Sequence, residues 1–579
     1  MPRNSIAALD RMVYTCLSTG RPRRLGQGTT RPADRDEETF VDRKWWTLVA
    51  VCCGTFMLLL DITVVNVALP NIQLALHSTF ADLQWVVDAY ALTLAAFLLT
   101  AGVLGDMYGR RGMFAIGLVL FSLASLACGI ATTPLVLNLA RGAQGVGGAI
   151  MFATSLALIA QAFAGKERGT AIGIYGAVVG GAVAIGPLVG GAITSGIGWR
   201  WIFFLNIPIG AVALVITLTK VDNAKIPSGR HIDWLGFITF SASLFMLVFA
   251  LVQGNAKGWG SHYIMSLLIG SAVLMVVFLV GELLLKDPML DLALFKRPAM
   301  VGVSLGSFTL SASIFAMFLY LTLYMQEILG YSALQAGLRF LPLTLLAFIA
   351  APIAGKLTVI VQSRYLMGLG LALVAIGCQL MTHVSATSSW LVLLPGFLVC
   401  GAGIGITNPV LASGSVSVVP PERSGMSTGA ASTFRQVGIA TGIAGLGAIF
   451  VHQMKPAVIQ NLQATASGQA IMAHGGQGLG SALASGGVRQ AAASIPSPAG
   501  RQALLSAYEE AFATTFNHLM GIAAVIAMVG AIGCLFLVRQ KDFVLSVEEV
   551  KAPGTASTPA QPSGEDGAAG LAPAPAPAG

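Results

Sequence analysis

The chain has 579 residues, of which 55% are hydrophobic and only 10% charged, with a formal net charge of +8. Soluble domains carry roughly 25% charged residues, so this composition excludes a soluble globular protein and indicates a polytopic membrane protein. The basic excess forms no single patch with interleaved aromatics, which argues against nucleic acid as a partner. The seven cysteines, six of them in apolar segments without ligand spacing, imply neither a disulfide framework nor a metal site.

Residues 1–44 contain Arg3, Arg11, Arg21, Arg23 and Arg24 but no apolar core long enough for a signal peptide, and read as a cytoplasmic tail. About fourteen apolar stretches follow, each near the roughly 20 residues that a membrane-spanning helix needs. They run over 45–69, 83–104, 112–131, 135–160, 169–194, 200–219, 233–252, 262–284, 300–328, 333–357, 365–383, 389–416, 425–451 and 516–538. The order predicts an all-α integral membrane protein. Taking both termini as cytoplasmic puts Arg110, Arg111, Lys166, Arg168, Lys220, Lys356, Arg364, Arg423 and Arg539 in inside loops, as the positive-inside rule requires.

Span one carries Asp61, about 24 Å from the inner face at 1.5 Å per residue, and span four carries Arg141 about 10 Å below the outer face. The two fall at one depth, and Asp88 in span two shares that layer. A charge at the bilayer centre costs about 2.5–3.5 kcal/mol or more, so each needs a partner or a purpose. Guanidinium keeps its proton in proteins, so a carboxylate must carry any titration. Asp61 is therefore expected to take up and release a proton, with Arg141 and Asp88 as the other candidates for coupling.

Span five reads GIYGAVVGGAVAIGPLVGG from Gly173 to Gly191. In water glycine costs about 1 kcal/mol and interior proline about 3 kcal/mol against alanine in a helix. In lipid the backbone has no alternative to internal hydrogen bonding, and Gly176/Gly180 and Gly186/Gly190 offer close approach to a neighbour, with Pro187 expected to bend the rod. Span nine supplies Met317, Tyr320 and Tyr324 on one face; with Tyr90, Gln144 and Arg435 in span thirteen they are the expected lining of a substrate cavity. The loop 452–515 has helical signals at Val458–Ala464 and Gly500–Ala513, which belong either to a partly ordered loop with no role or to a small hairpin outside, and 539–579 is too poor in large apolar groups to fold.

Several motifs converge. The stretch Gly102-Val-Leu104-Gly-Asp106-Met-Tyr-Gly109-Arg110-Arg111 resembles the signature loop of the major facilitator superfamily, and Arg141-Gly-Ala-Gln144-Gly145 resembles its second motif. Gly173, Gly186-Pro187 and Gly190-Gly191 are similar to the helix motif of its drug-proton antiporters. With Leu60-Asp61-Ile-Thr63 in span one and Trp199-Arg200-Trp201 to Asn206 at span six, the chain resembles the fourteen-span EmrB/QacA-type antiporters over residues 45–540. Met107 and Ala182 depart from the usual basic residue and glycine, and spans ten and thirteen lack the acids with which some relatives handle dications.

The resemblance implies two six-helix bundles, 45–219 and 300–538, with two extra spans in the linker 220–299. It also implies a gate at Gly102, Asp106, Gly109, Arg110 and Arg111, and a bacterial cytoplasmic membrane location. The expected activity is proton-coupled efflux of hydrophobic or cationic small molecules by a monomer, with drugs or metabolites, protons and lipid as its only partners and no cofactor. No nucleotide-binding G-x-x-x-x-G-K-[ST] signature is present. A dedicated exporter of one antibiotic is the nearer alternative; a membrane enzyme for lipids or prenyl groups is the distant one, since no span pairs carboxylates for metal-bound phosphate. A channel would line its path with repeated polar rings.

Overall fold

The computed structural model describes residues 34–78, 80–222, 233–285, 288–358, 360–420, 423–470, 472, 492, 495 and 497–543. Most of the two tails and the centre of the 452–515 loop, with the expectations attached to them, lie outside these residues. Contacts divide the chain into Met1–Arg43 and Lys44–Gly579.

The helices are α1 (Asp34–Leu76), α2 (Phe80–Tyr108), α3 (Arg110–Gly129), α4 (Pro134–Ala162), α5 (Gly165–Gly196) and α6 (Trp201–Lys220). Then come α7 (Trp234–Lys257), α8 (His262–Leu284), α9 (Pro298–Ile328), α10 (Ala333–Leu357), α11 (Ser363–Leu380), α12 (Leu394–Ser417), α13 (Ser424–Gln463) and α14 (Pro498–Leu537). Thirteen of them are long and apolar enough to cross a membrane among the described residues, and the 32-residue α5 joins them by length. Local chemistry sets their ends. Thr133, Asp233, Ser261 and Ser497 accept backbone N–H bonds as N-caps, and Ser332 with Gln335 forms a capping box. Gly109 separates α2 from α3 with φ 99°, a conformation that side chains with a Cβ resist, which accounts for glycine in that loop.

Packing repeats between the halves. In the first, α4 packs against both α2 and α3, with α6 on α3; in the second, α12 packs against both α10 and α11, with α14 on α11. Two seams join the halves, α2 on α13 and α5 on α10, and the same pairing exchanges one seam for the other. The inserted α7 lies against α2 and α13, with Phe97 and Phe237 centroids 6.0 Å apart and Trp85 and Phe249 5.3 Å apart, while α8 packs on α7.

Short turns reverse successive helices, so Lys44, Arg110, Arg168, Lys220, Lys356, Arg364, Arg423 and Arg539 gather at one end, called here the basic end. The far end differs from expectation. Instead of a loop with a separate hairpin, α13 and α14 each continue for 40 residues, about 60 Å and twice the hydrocarbon thickness. Met454, Val458 and Leu462 recur every fourth residue and bury against Leu504, Ala507 and Ala511, and Asn461 donates to the Ala507 carbonyl at 3.2 Å. The apolar stripe outlasts the span, so the helices do too.

Candidate functional site

Three arrangements fall on the residues singled out above. The first is a polar network inside the first half. Asp61 on α1 and Arg141 on α4 are 3% and 1% exposed, and Arg141 Nη1 donates to Asp61 Oδ2 at 2.5 Å. Gln144 Nε2 and Asn206 Nδ2 each donate to Asp61 Oδ1 at 2.9 Å, and both also donate to Ser125 Oγ. The carboxylate thus accepts from three donors, on α4 and α6. Arg141 also donates to the Gln144 side-chain carbonyl at 2.6 Å and, through Nε, to the Val86 carbonyl at 2.9 Å. Its guanidinium carbon sits 4.3 Å over the Tyr90 ring, a cation–π contact.

Five helices therefore meet around one ion pair in the membrane core. Removing one partner of such a pair costs about 3–5 kcal/mol, because the other charge is left buried and uncompensated. Tyr90 and Gln144, expected in a substrate cavity, belong to this network instead; on tightly packed α2 and α4 they face the first half's interior. Asp88 takes no part in the network's hydrogen bonds: Val86 contributes its carbonyl, while Asp88 lies on another side of α2. Ser125 escaped the sequence reading because a serine in an apolar helix gives no signal. Asn206 stood in the span-six motif without a partner that spacing could name.

The second arrangement closes the basic end. Gly102 on α2 and Gly425 on α13 meet backbone to backbone, as do Gly169 on α5 and Gly355 on α10, so none of the four has room for a Cβ. A Cβ at Gly173 would land 2.8 Å from the Pro352 Cα. Asp106 accepts from the backbone N–H of Gly425 at 3.1 Å and of Met426 at 2.9 Å, capping the N-terminus of α13 from across the seam. Arg110 holds that carboxylate at 2.8 Å and donates to the Ala157 carbonyl, and Arg111 donates to the Leu218 carbonyl. Toward the far end the α5–α10 seam opens. A Cβ at Gly176 would sit 3.6 Å from Pro409, and one at Gly180 would meet nothing within 4 Å. Gly186 and Gly190 abut Thr63 and Val64 of α1, within their own half, whereas Gly191 faces open space. The side chain of Pro187 lies outside the described residues.

The third is a cavity between the halves, bounded by α4 and α5 on one side and α9, α12 and α13 on the other. Arg435 lines it, with Tyr175, Asn408, Ser307 and Ser432 among otherwise apolar walls. Met317, Tyr320 and Tyr324 do not. They are buried in the second half's core, where Tyr320 packs on Phe450 and Tyr324 stacks on Phe516 with centroids 5.2 Å apart. The Tyr324 hydroxyl is occupied by the Ser385 carbonyl at 2.8 Å, at a π-helical turn, Tyr324–Ile328, that ends α9. A second π-helical turn, Ser311–Phe315, follows the cavity-lining Leu310. Arg339 lies 3.6 Å over the Tyr331 ring and donates to the Gln335 carbonyl, near the start of α10.

Comparison with known proteins agrees with this fold. The family model of the Major Facilitator Superfamily matches residues 51–443. Multidrug resistance protein Stp of Mycobacterium tuberculosis (strain CDC 1551 / Oshkosh) is 35% identical over 418 residues, 72% of this chain and 78% of that protein. The tetracenomycin C resistance and export protein of Streptomyces glaucescens is 33% identical over 423 residues, 71% of this chain and 77% of that one. In fold, the proton:xylose symporter XylE superposes with a TM-score of 0.57 at 14% identity, covering 88% of this chain and 98% of that chain.

Proposed function

The chain belongs to the major facilitator superfamily and is a multi-pass membrane transporter, not an enzyme, and from that premise we propose that it exports hydrophobic drugs or metabolites in exchange for protons. The observation that carries this reading is the Asp61 carboxylate, buried in the membrane and held by three donors, one of them an arginine. A proton on Asp61 cancels its charge while Arg141 keeps its own. The attraction joining α1 to α4 then weakens, and Arg141 leans on its other acceptors, the Gln144 side chain, the Val86 carbonyl and the Tyr90 face. Protonation thereby becomes a change in how two helices are held, which is what coupling a gradient to alternating access requires.

With the basic end cytoplasmic, as its lysines and arginines favour, the tight seams at Gly102, Gly169 and Asp106 form an inner gate, and the loosened seam beyond Gly176 faces outward. In that state Asp61 receives its proton from outside. Both termini are then cytoplasmic and the segment 475–496 is external, in the cytoplasmic membrane of a bacterial cell, with the monomer as the working unit. The 45–219 and 300–538 bundles carry the two halves, with 220–299 as the insert. A cysteine at Ser485 in a cysteine-free background should react with an impermeant thiol reagent in intact cells; labelling only in opened vesicles would invert this topology.

The test of function is drug uptake into inside-out vesicles with an acid interior. The wild-type protein should accumulate drug and Asp61→Asn should not; equal accumulation by the two would move coupling elsewhere, Asp88 first. A dedicated exporter of one compound is the second reading, favoured by a relative whose name specifies tetracenomycin C. Growth against a panel of unrelated toxic compounds separates the two.

A further inference from the structure

Among the described residues Arg435 is the only fully charged one in the cavity lining, and that lining contains no Asp or Glu. The helices α10, α12 and α13 contribute no carboxylate anywhere along their lengths. Across the cavity on α5, Tyr175 is 4% exposed and brings a buried phenol hydroxyl to the lining. A phenol hydroxyl can donate one hydrogen bond, so it can serve an acceptor entering the cavity. The remaining surface is largely apolar, from Phe152, Leu156, Ile172 and Leu310. In the first half Asp61 is enclosed by its three donors and does not reach this surface.

We infer that the cavity selects amphipathic anions, flat apolar molecules carrying one acidic group, with Arg435 as the counter-charge and the Tyr175 hydroxyl as a second donor. The inference rests on the export reading and names its substrate class. An anion leaving water needs both a counter-charge and donors to offset its lost hydration, and charge-assisted hydrogen bonds are about twice as strong as neutral ones. The same Arg435 repels a lipophilic cation, for which no carboxylate in the lining compensates. The expected preference is therefore the reverse of one for cationic drugs.

The test uses three molecules with one ring system: anthraquinone-2-sulfonate, its neutral sulfonamide, and a matched trimethylammonium derivative. Binding to the full-length protein in neutral-lipid nanodiscs is measured by calorimetry against empty nanodiscs. The wild-type protein should bind the sulfonate roughly tenfold tighter than the sulfonamide, with the cation weakest. Arg435→Gln should bring the sulfonate-to-sulfonamide ratio close to one, Arg435→Lys should keep part of it, and Tyr175→Phe should lower it by a smaller factor. A ratio unchanged in Arg435→Gln overturns the inference. So does a wild-type protein that binds the cation best, a result that needs no variant to fold. Failure of the export reading is seen separately, as a wild-type protein that keeps the binding ratio yet moves none of the three compounds in energised vesicles.

Discussion

Arg141 and Arg435 both lie within membrane-spanning helices, and the protein treats them in opposite ways. Around Arg141 every nearby group answers its charge: a carboxylate, an amide oxygen, a backbone carbonyl and an aromatic face, drawn from α1, α2 and α4. Arg435 borders a cavity between the halves, where the walls are hydroxyls, an amide and hydrocarbon. A charge satisfied by its own fold stores a relation between helices and suits energy coupling. A charge on the wall of a cavity between the halves suits a ligand. Under the proposed function, the difference separates a coupling region inside the first half from a recognition region between the halves.

The sharpest way to break this comparison is through stability. Arg141→Met should destabilise the purified protein by about 3–5 kcal/mol by leaving Asp61 buried and uncompensated, while the double variant Asp61→Asn/Arg141→Met recovers much of the loss. Arg435→Gln should cost less than Arg141→Met, because the described cavity lining beside it holds no carboxylate to strand. Thermal unfolding followed by fluorescence reads both. Equal losses at the two arginines would mean that Arg435 is structural.

Coupling comes next. Asp61→Asn should lose gradient-driven accumulation while drug exchange across the membrane continues, and Asp61→Glu, which keeps a titratable group at the cost of one methylene, should retain partial activity. Counterflow and gradient-driven uptake measured on the same vesicles distinguish a coupling defect from a dead protein.

The glycine faces give a graded series. Gly102→Leu and Gly186→Leu should abolish transport, since the side chain would drive α2 from α13 or α1 from α5; Gly180→Leu, with nothing within 4 Å, should leave transport near normal. Uptake rates normalised to membrane protein level rank the three, and an inactive Gly180→Leu would show that the seam closes there during the cycle. The smallest expected effect is at the gate. Asp106→Ala removes the α13 cap together with the carboxylate that faces buried Arg110 and should slow turnover several-fold without changing drug affinity, whereas a weakened affinity would place the loop in substrate binding.

Much of this architecture is legible in the chain because a membrane restricts what a sequence can do. Apolar length yields the spans, the basic loops suggest their direction, and a rise of 1.5 Å per residue sets the depth of Asp61 and Arg141 at one level. Depth is a one-dimensional quantity and survives without knowledge of neighbours. What only the tertiary structure decided is azimuth: which way around its helix each side chain points, and what it meets there. Spacing put Tyr320 and Tyr324 on one face of α9, but packing turned that face toward Phe450 and Phe516 and away from the cavity. Tyr175 and Asn408 gave no sign of their place beside Arg435, because that cavity is built from five helices contributed by both halves. Asn206 reaches Asp61 and Ser125 for the same reason: these hydrogen-bond partners lie 145 and 81 residues away in the chain, and no local pattern encodes an angle between two rods.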